Sequence, residues 1–103
     1  MATALEIQHI SDQIRREFSP QKIILFGSHS AGNPDSDSDV DLLVVAPFQG
    51  KPWRFAVEIR ERIKAGVSLD LLVRTPKQLQ ERLAKHNMFL TEIVTNGKVL
   101  YEA

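Results

Sequence analysis

Two short apolar runs, residues 22–26 and 40–45, bracket a polar loop, and at the joints stand Gly27-Ser28 and Asp39-Val40-Asp41. This stretch constrains the fold more than any other. Both runs are short and rich in Ile, Leu and Val, and each reads as a buried strand. Residues 28–31 have room for one helical turn, which Gly32 would end. Residues 33–38 are loop by composition. Alternate residues of a strand share a face, so Asp39 and Asp41 project to one side, about 7 Å apart along the backbone.

The remaining chain supports a layered α/β (α+β) domain with a small mixed sheet and flanking helices. Residues 4–18 form a helix in this reading: Thr3 and Glu6 make a capping box, Ile7, Ile10, Ile14 and Phe18 share a stripe, and Ser19-Pro20 stops it. Pro47 closes the second strand and residues 49–51 are a connection. Pro52 sits at a first helical position, and a helix over 53–65 carries Phe55, Ile59 and Ile63 on one face and ends at Gly66. A third strand covers 67–74. Thr75, Pro76 and Gln78 open a further helix, with Leu79 and Leu83 on its inner face. Asn87 caps a helix running from 88 to about 95, Asn96-Gly97 is a turn, and 98–101 is a short final strand. The 103 residues read as one small domain, 1–103, without repeats or linkers.

Asp70 lies within the third apolar run, on the alternation opposite Leu69, Leu71 and Val73. A carboxylate buried there without a partner is costly. The simplest account is convergence of Asp39, Asp41 and Asp70 on hard cations, which take oxygen ligands and bridge carboxylates to phosphates. Two such ions about 3.5–4 Å apart clamp an in-line phosphoryl displacement. Gly27 and Ser28 supply the other half, a corner where phosphate approaches backbone amides and a hydroxyl.

Three familiar motifs fail. Gly27 and Gly32 have P-loop spacing, but Asn33-Pro34 stands where Lys-Ser/Thr is required. Asp35, Asp37 and Asp39 start like a calcium loop, yet its sixth and twelfth positions are Val40 and Ala46. No Gly-x-Gly-x-x-Gly is present. Asp35 and Asp37 are therefore loop and turn residues. His29 reads as a turn side chain, Trp53 as a core or interface anchor, and Arg74 either as a phosphate contact or as charge at a strand end.

What does match is Gly-Ser, ten residues, then Asp-x-Asp, with a third carboxylate on a later strand. Residues 22–74 thereby resemble the nucleotidyltransferase superfamily with the DNA polymerase β palm fold. The short chain and its Leu-Phe-Gly-Ser…Ser-Asp-x-Asp-Leu-Leu-Val wording resemble its smallest branch, the minimal nucleotidyltransferases (MNT). The resemblance implies transfer of a nucleoside monophosphate, AMP from ATP by family analogy, to a hydroxyl acceptor, with pyrophosphate leaving. Asp39 and Asp41 would hold two magnesium ions. Asp70 would hold the ion nearer the attacking hydroxyl and help remove its proton, while Gly27 and Ser28 hold the β- and γ-phosphates. MNT proteins often pair with a helical HEPN protein as the antitoxin of a toxin–antitoxin module, in some cases attaching AMP to the toxin. One departure stands out: arginines often follow the Gly-Ser of MNT proteins, and here those places are His29 and Ala31. That shortage of positive charge favours a rival, a non-catalytic module that docks on its partner. A third reading is a subunit of a small-molecule, antibiotic-type nucleotidyltransferase.

Bulk properties narrow the class. Thirteen basic residues balance thirteen acidic ones, which gives no field for non-specific nucleic-acid binding. No cysteine is present, so disulfides, thiolate zinc sites and cysteine nucleophiles are excluded. No apolar run is long enough to span a bilayer, and Glu6, Asp12 and Glu17 argue against a signal peptide. The expectation is a cytoplasmic protein, with the acceptor and any homo-oligomer left open.

Overall fold

A computed structural model describes residues 2–35 and 38–103. The elements run α1 (Ala4–Phe18), β1 (Lys22–Phe26), α2 (Ser28–Ala31), β2 (Val40–Val45), α3 (Pro52–Arg62), β3 (Leu69–Arg74), α4 (Pro76–Ala84), α5 (Met88–Asn96) and β4 (Lys98–Glu102). The four strands form one mixed sheet in the order β3-β2-β1-β4. β1 runs antiparallel to both β2 and β4, whereas β2 and β3 are parallel and joined through α3.

Helices cover both faces of the sheet. On one, Ile7, Ile10 and Ile14 of α1 and Ile59 of α3 pack with Ile23, Leu25, Leu42, Val44 and Val73. On the other, Leu90 and Ile93 of α5, with Leu79 and Leu83 of α4, pack with Ile24, Leu43, Val45 and Leu72. This double cover explains why β2 reads as a continuous apolar run rather than an alternating one. It also leaves its first turn of chain distinct: Asp41 shares a face with Leu43 and Val45 but lies at the end of the strand.

Local signals place most boundaries. Both capping boxes form, Thr3 with Glu6 and Thr75 with Gln78, and the Asn87 side chain accepts from the Leu90 amide at 3.0 Å. Four boundaries differ from the sequence reading, one of them the end of β4, at Glu102 rather than Tyr101. α3 ends at Arg62 rather than Ala65. There the Gln13 side chain pairs with the Lys64 backbone, donating to its carbonyl at 3.1 Å and accepting from its amide at 2.9 Å, and Ile63 turns into the core. β3 begins at Leu69, two residues later than Val67, because pairing with β2 starts at the Val40–Leu69 register. α5 continues through Asn96, and Gly97 has φ −69°, so it is not a left-handed turn residue. Gly97 is there for space: a Cβ would strike the Ile93 carbonyl and the Ile24 side chain. Trp53 is no core anchor, since 60% of its surface is exposed. No helix among the described residues is long and apolar enough to cross a membrane.

Candidate active site

The candidate residues gather where β1 ends and β2 and β3 begin. Phe26 lies opposite Asp41 across the antiparallel pair, and Asp41 lies beside Asp70 across the parallel pair. Register therefore brings together residues that are far apart in sequence. Gly27 follows Phe26 with φ 76°, a conformation that side chains disfavour. A Cβ on Gly27 would also collide with the Asp41 carboxylate. The glycine thus makes room for Asp41, a role beyond the approach of phosphate expected from sequence.

Asp41 is half-buried, and its carboxyl is pushed above the ordinary carboxylate range. Burial is the largest cause, followed by the negative charges of Asp70 and Asp39; His29 acts in the opposite direction. Asp39 is exposed, and its Oδ1 accepts a hydrogen bond from the Ser68 hydroxyl. Asp70 corrects an expectation: its side chain is 67% exposed, so no burial penalty calls for a partner. It sits beyond the cover of α4 and α5, with the Arg60 guanidinium 3.9 Å away and bonded to the Leu69 carbonyl at 3.0 Å.

The corner expected to receive phosphate is formed at the start of α2. Gly27 is its N-cap, Gly32 closes it in the left-handed region, and Ser28 is its first residue. His29 does not stand free as a substitute cation. Its Nδ1 donates to the Asp39 carbonyl at 3.0 Å, which ties α2 to the start of β2. Arg74 falls outside the site: it is four residues along β3 from Asp70, roughly 13 Å, and donates to the Val73 carbonyl. Burial first, and then Arg82, draw its pKa below the usual value. Asp35 is a turn residue, its amide donating to the Ser38 hydroxyl at 2.9 Å. Asp37 lies outside the described residues.

Asp39, Asp41 and Asp70 are all oxygen donors, the chemistry a hard divalent cation takes. The charge crowding that raises the Asp41 pKa is what such an ion would relieve. Among the described residues, however, no three acidic or histidine side chains enclose one point as a finished metal cage. Oδ1 of Asp39 accepts from Ser68, and a carboxylate keeps a second oxygen for other partners. The donor set fits a cation in kind.

Sequence reasoning missed Ser68 and Arg60, because both reach the site through tertiary packing. It also missed a cleft of about 450 Å³ that opens beside Gly27, between α2 and α5. Its α5 wall is Phe89, Glu92, Ile93 and Asn96, a helical spacing visible in the sequence only once α5 is known to face α2.

A family model described as Polymerase beta, Nucleotidyltransferase matches residues 8–103. The chain belongs to this nucleotidyltransferase family. A relative from Methanocaldococcus jannaschii, provisionally named a protein adenylyltransferase, is 26% identical over 83 residues, covering 79% of this chain and 78% of the relative. A crystal structure described as a toxin–antitoxin with AMP-PNP superposes with a TM-score of 0.61 at 25% identity, over 95% of this chain and 73% of the other. Membership in the nucleotidyltransferase family and the four-stranded mixed sheet with helices on both faces agree with the expectation drawn from Gly27-Ser28 and the aspartates.

Proposed function

We propose that this nucleotidyltransferase transfers AMP from magnesium-bound ATP to a hydroxyl group on a partner protein, and that it acts as the antitoxin of a toxin–antitoxin pair in the cytoplasm. The partner in this reading is a small helical HEPN protein. One observation carries the proposal: the Asp41 carboxylate occupies the space above Gly27 while Asp70 stands beside it in register. A phosphate held at Gly27-Ser28 would then lie next to both carboxylates. The likeness to a protein called an adenylyltransferase and to a toxin–antitoxin structure with AMP-PNP supports the choice of adenylate and of a protein acceptor.

Each residue has a task. Gly27 and Ser28 hold the β- and γ-phosphates. Asp39, Asp41 and Asp70 hold magnesium, which when bound offsets the charge on the transferring phosphoryl group. Asp70, whose side chain is 67% exposed, faces the side where an acceptor arrives and takes the proton of the attacking hydroxyl. His29 keeps α2 fixed against β2 through the Asp39 carbonyl.

The test is incubation with labelled ATP, magnesium and the protein encoded by the neighbouring gene. Label should move to that protein, and Asp39→Asn should abolish the transfer. A second reading has its own support. His29 is engaged and Ala31 is apolar, so α2 lacks the cations that would grip a triphosphate. In that reading the chain neutralises its partner by docking alone. Absence of transfer, together with neutralisation that survives Asp39→Asn, would favour docking. Transfer to small hydroxylated acceptors without a protein partner would point instead to an antibiotic-type enzyme.

A further inference from the structure

Trp53 and Val57 stand one turn apart on α3, and 60% and 44% of their surfaces are exposed. The core does not need them: Phe55 and Ile59 fill the inner face of α3, with Phe48 stacked on Phe55 at 4.7 Å and Phe18 edge-on to it at 5.6 Å. Arg60 follows on the same flank, about 10 Å along the axis from Trp53. Its guanidinium lies 3.9 Å from Asp70 Oδ1, so the flank runs up to the candidate site. The other flank is engaged already, since Arg62 lies 3.9 Å from Glu17 of α1 and 3.7 Å from Glu58.

This flank is basic as well as apolar. Within residues 51–64, Lys51, Arg54, Arg60, Arg62 and Lys64 outnumber Glu58 and Glu61, although the whole chain carries no net charge. Among the described residues, neither Lys51 nor Arg54 is paired with a carboxylate. The Arg54 guanidinium lies instead 5.4 Å from the centre of the Trp53 ring, which steadies the ring before any contact is made. The adjoining border of β3 is poorly open to an added strand. The Ser68 and Arg74 carbonyls accept from β2, so by alternation those of Leu69, Leu71 and Val73 turn outward. Arg60 donates to the Leu69 carbonyl at 3.0 Å and Arg74 to the Val73 carbonyl at 2.6 Å. A partner on this side must therefore bind through side chains.

We infer that the Trp53–Val57–Arg60 flank of α3 is where an acidic protein surface docks, with Trp53 as the anchor, and that docking there presents the partner to Asp70. The inference rests on the protein-partner part of the proposed function and adds the surface that reading leaves open. Tryptophan and arginine are the residue types that most often dominate interface energy. The matching surface has an apolar hollow for Trp53, ringed by carboxylates that meet Lys51 and Arg54. A nucleic-acid strand fits less well, because Glu58 and Glu61 on the same helix repel its phosphates.

The full chain is tested against the purified protein encoded by the neighbouring gene and, separately, against a short single-stranded RNA. Trp53 is the sole tryptophan, so fluorotryptophan labelling puts a single fluorine reporter on the anchor without changing any other residue. Its resonance should shift when the protein is added and stay in place with RNA. In surface plasmon resonance, Trp53→Ala should weaken the complex about tenfold or more through faster dissociation, and Arg54→Glu should slow association. Met88→Ala, on α5 across the sheet and 85% exposed, should change neither rate. Trp53→Ala should also raise the KM for the partner in label transfer. Transfer that proceeds while the fluorine resonance and both rates are indifferent to this flank would overturn the docking surface and leave the nucleotidyltransferase reading standing. Binding that is lost in Trp53→Ala, with no transfer by the wild type, would uphold the surface and sink the transfer reading. Absence of any complex with the wild type would overturn both. Faster association of Arg54→Glu would overturn the acidic partner. A fluorine shift with RNA and none with the protein would make the flank a nucleic-acid surface, and the inference would fail.

Discussion

Replacing Gly27 with alanine would set a methyl group against the Asp41 carboxylate, in a backbone already at φ 76°. Strain of this kind costs about 1–3 kcal/mol. Gly27→Ala should therefore lower the urea midpoint and also lose transfer activity, because Asp41 cannot stay where it is. Asp41→Asn should do the reverse to stability. Burial, then Asp70 and Asp39, raise the Asp41 pKa, so the folded chain holds that proton more tightly than the unfolded one. The sign follows: metal-free protein loses stability as pH rises from the ordinary value of 3.8 through the raised one, and the penalty stays in full above it. At neutral pH Asp41→Asn should melt higher than wild type, with the gap closing in acid, as followed by calorimetry without metal. A lower melting temperature for the variant at neutral pH would refute the account. At this scale the sequence showed part of the arrangement: alternation set Asp41 on the face of Leu43 and turned Asp70 away from Leu71, whereas Asp39, expected on the same strand, stands just before β2. It did not show that Asp70 is open to solvent, because alternation names a face without saying where its helical cover stops.

Elements whose ends are set locally were legible. The Thr3–Glu6 and Thr75–Gln78 boxes involve residues three apart, and both form. Ends set by distant partners were not. Gln13 and Lys64 are 51 residues apart, and their paired hydrogen bonds stand where the last turn of α3 was expected. Gln13→Ala removes both bonds and should cost about 2 kcal/mol at a net contribution near 1 kcal/mol each. Chemical denaturation would measure it, and the transfer reaction at saturating ATP should be unaffected, since Gln13 lies on the α1 side of the sheet. The same reasoning explains why the α5 wall of the cleft escaped notice. Phe89, Glu92 and Asn96 look like an ordinary exposed edge until α2 is seen across from them.

For the molecule as a whole, apolar runs and helix stripes foretold a small sheet clothed by helices, but not the order β3-β2-β1-β4, which depends on pairings between distant segments. That order gathers Gly27, Asp41 and Asp70 on three neighbouring strand ends, so ligand binding should be felt by the entire fold. Mg·ATP at a hundredfold excess over its dissociation constant should stabilise the chain by about 2.7 kcal/mol. Thermal shift assays should show this for wild type and a much smaller shift for Asp39→Asn; equal shifts would exclude Asp39 from the binding site. The order also leaves β3 and β4 as the borders of the sheet, where unpaired backbone groups invite another chain to add a strand. β3 carries Asp70 and Arg74 at that border, and β4 carries Lys98 and Glu102. Charges there discourage edge-to-edge stacking between copies. Asp70 thus has a second use that has nothing to do with nucleotides: the carboxylate proposed to meet the acceptor hydroxyl also guards the sheet against growing into an aggregate.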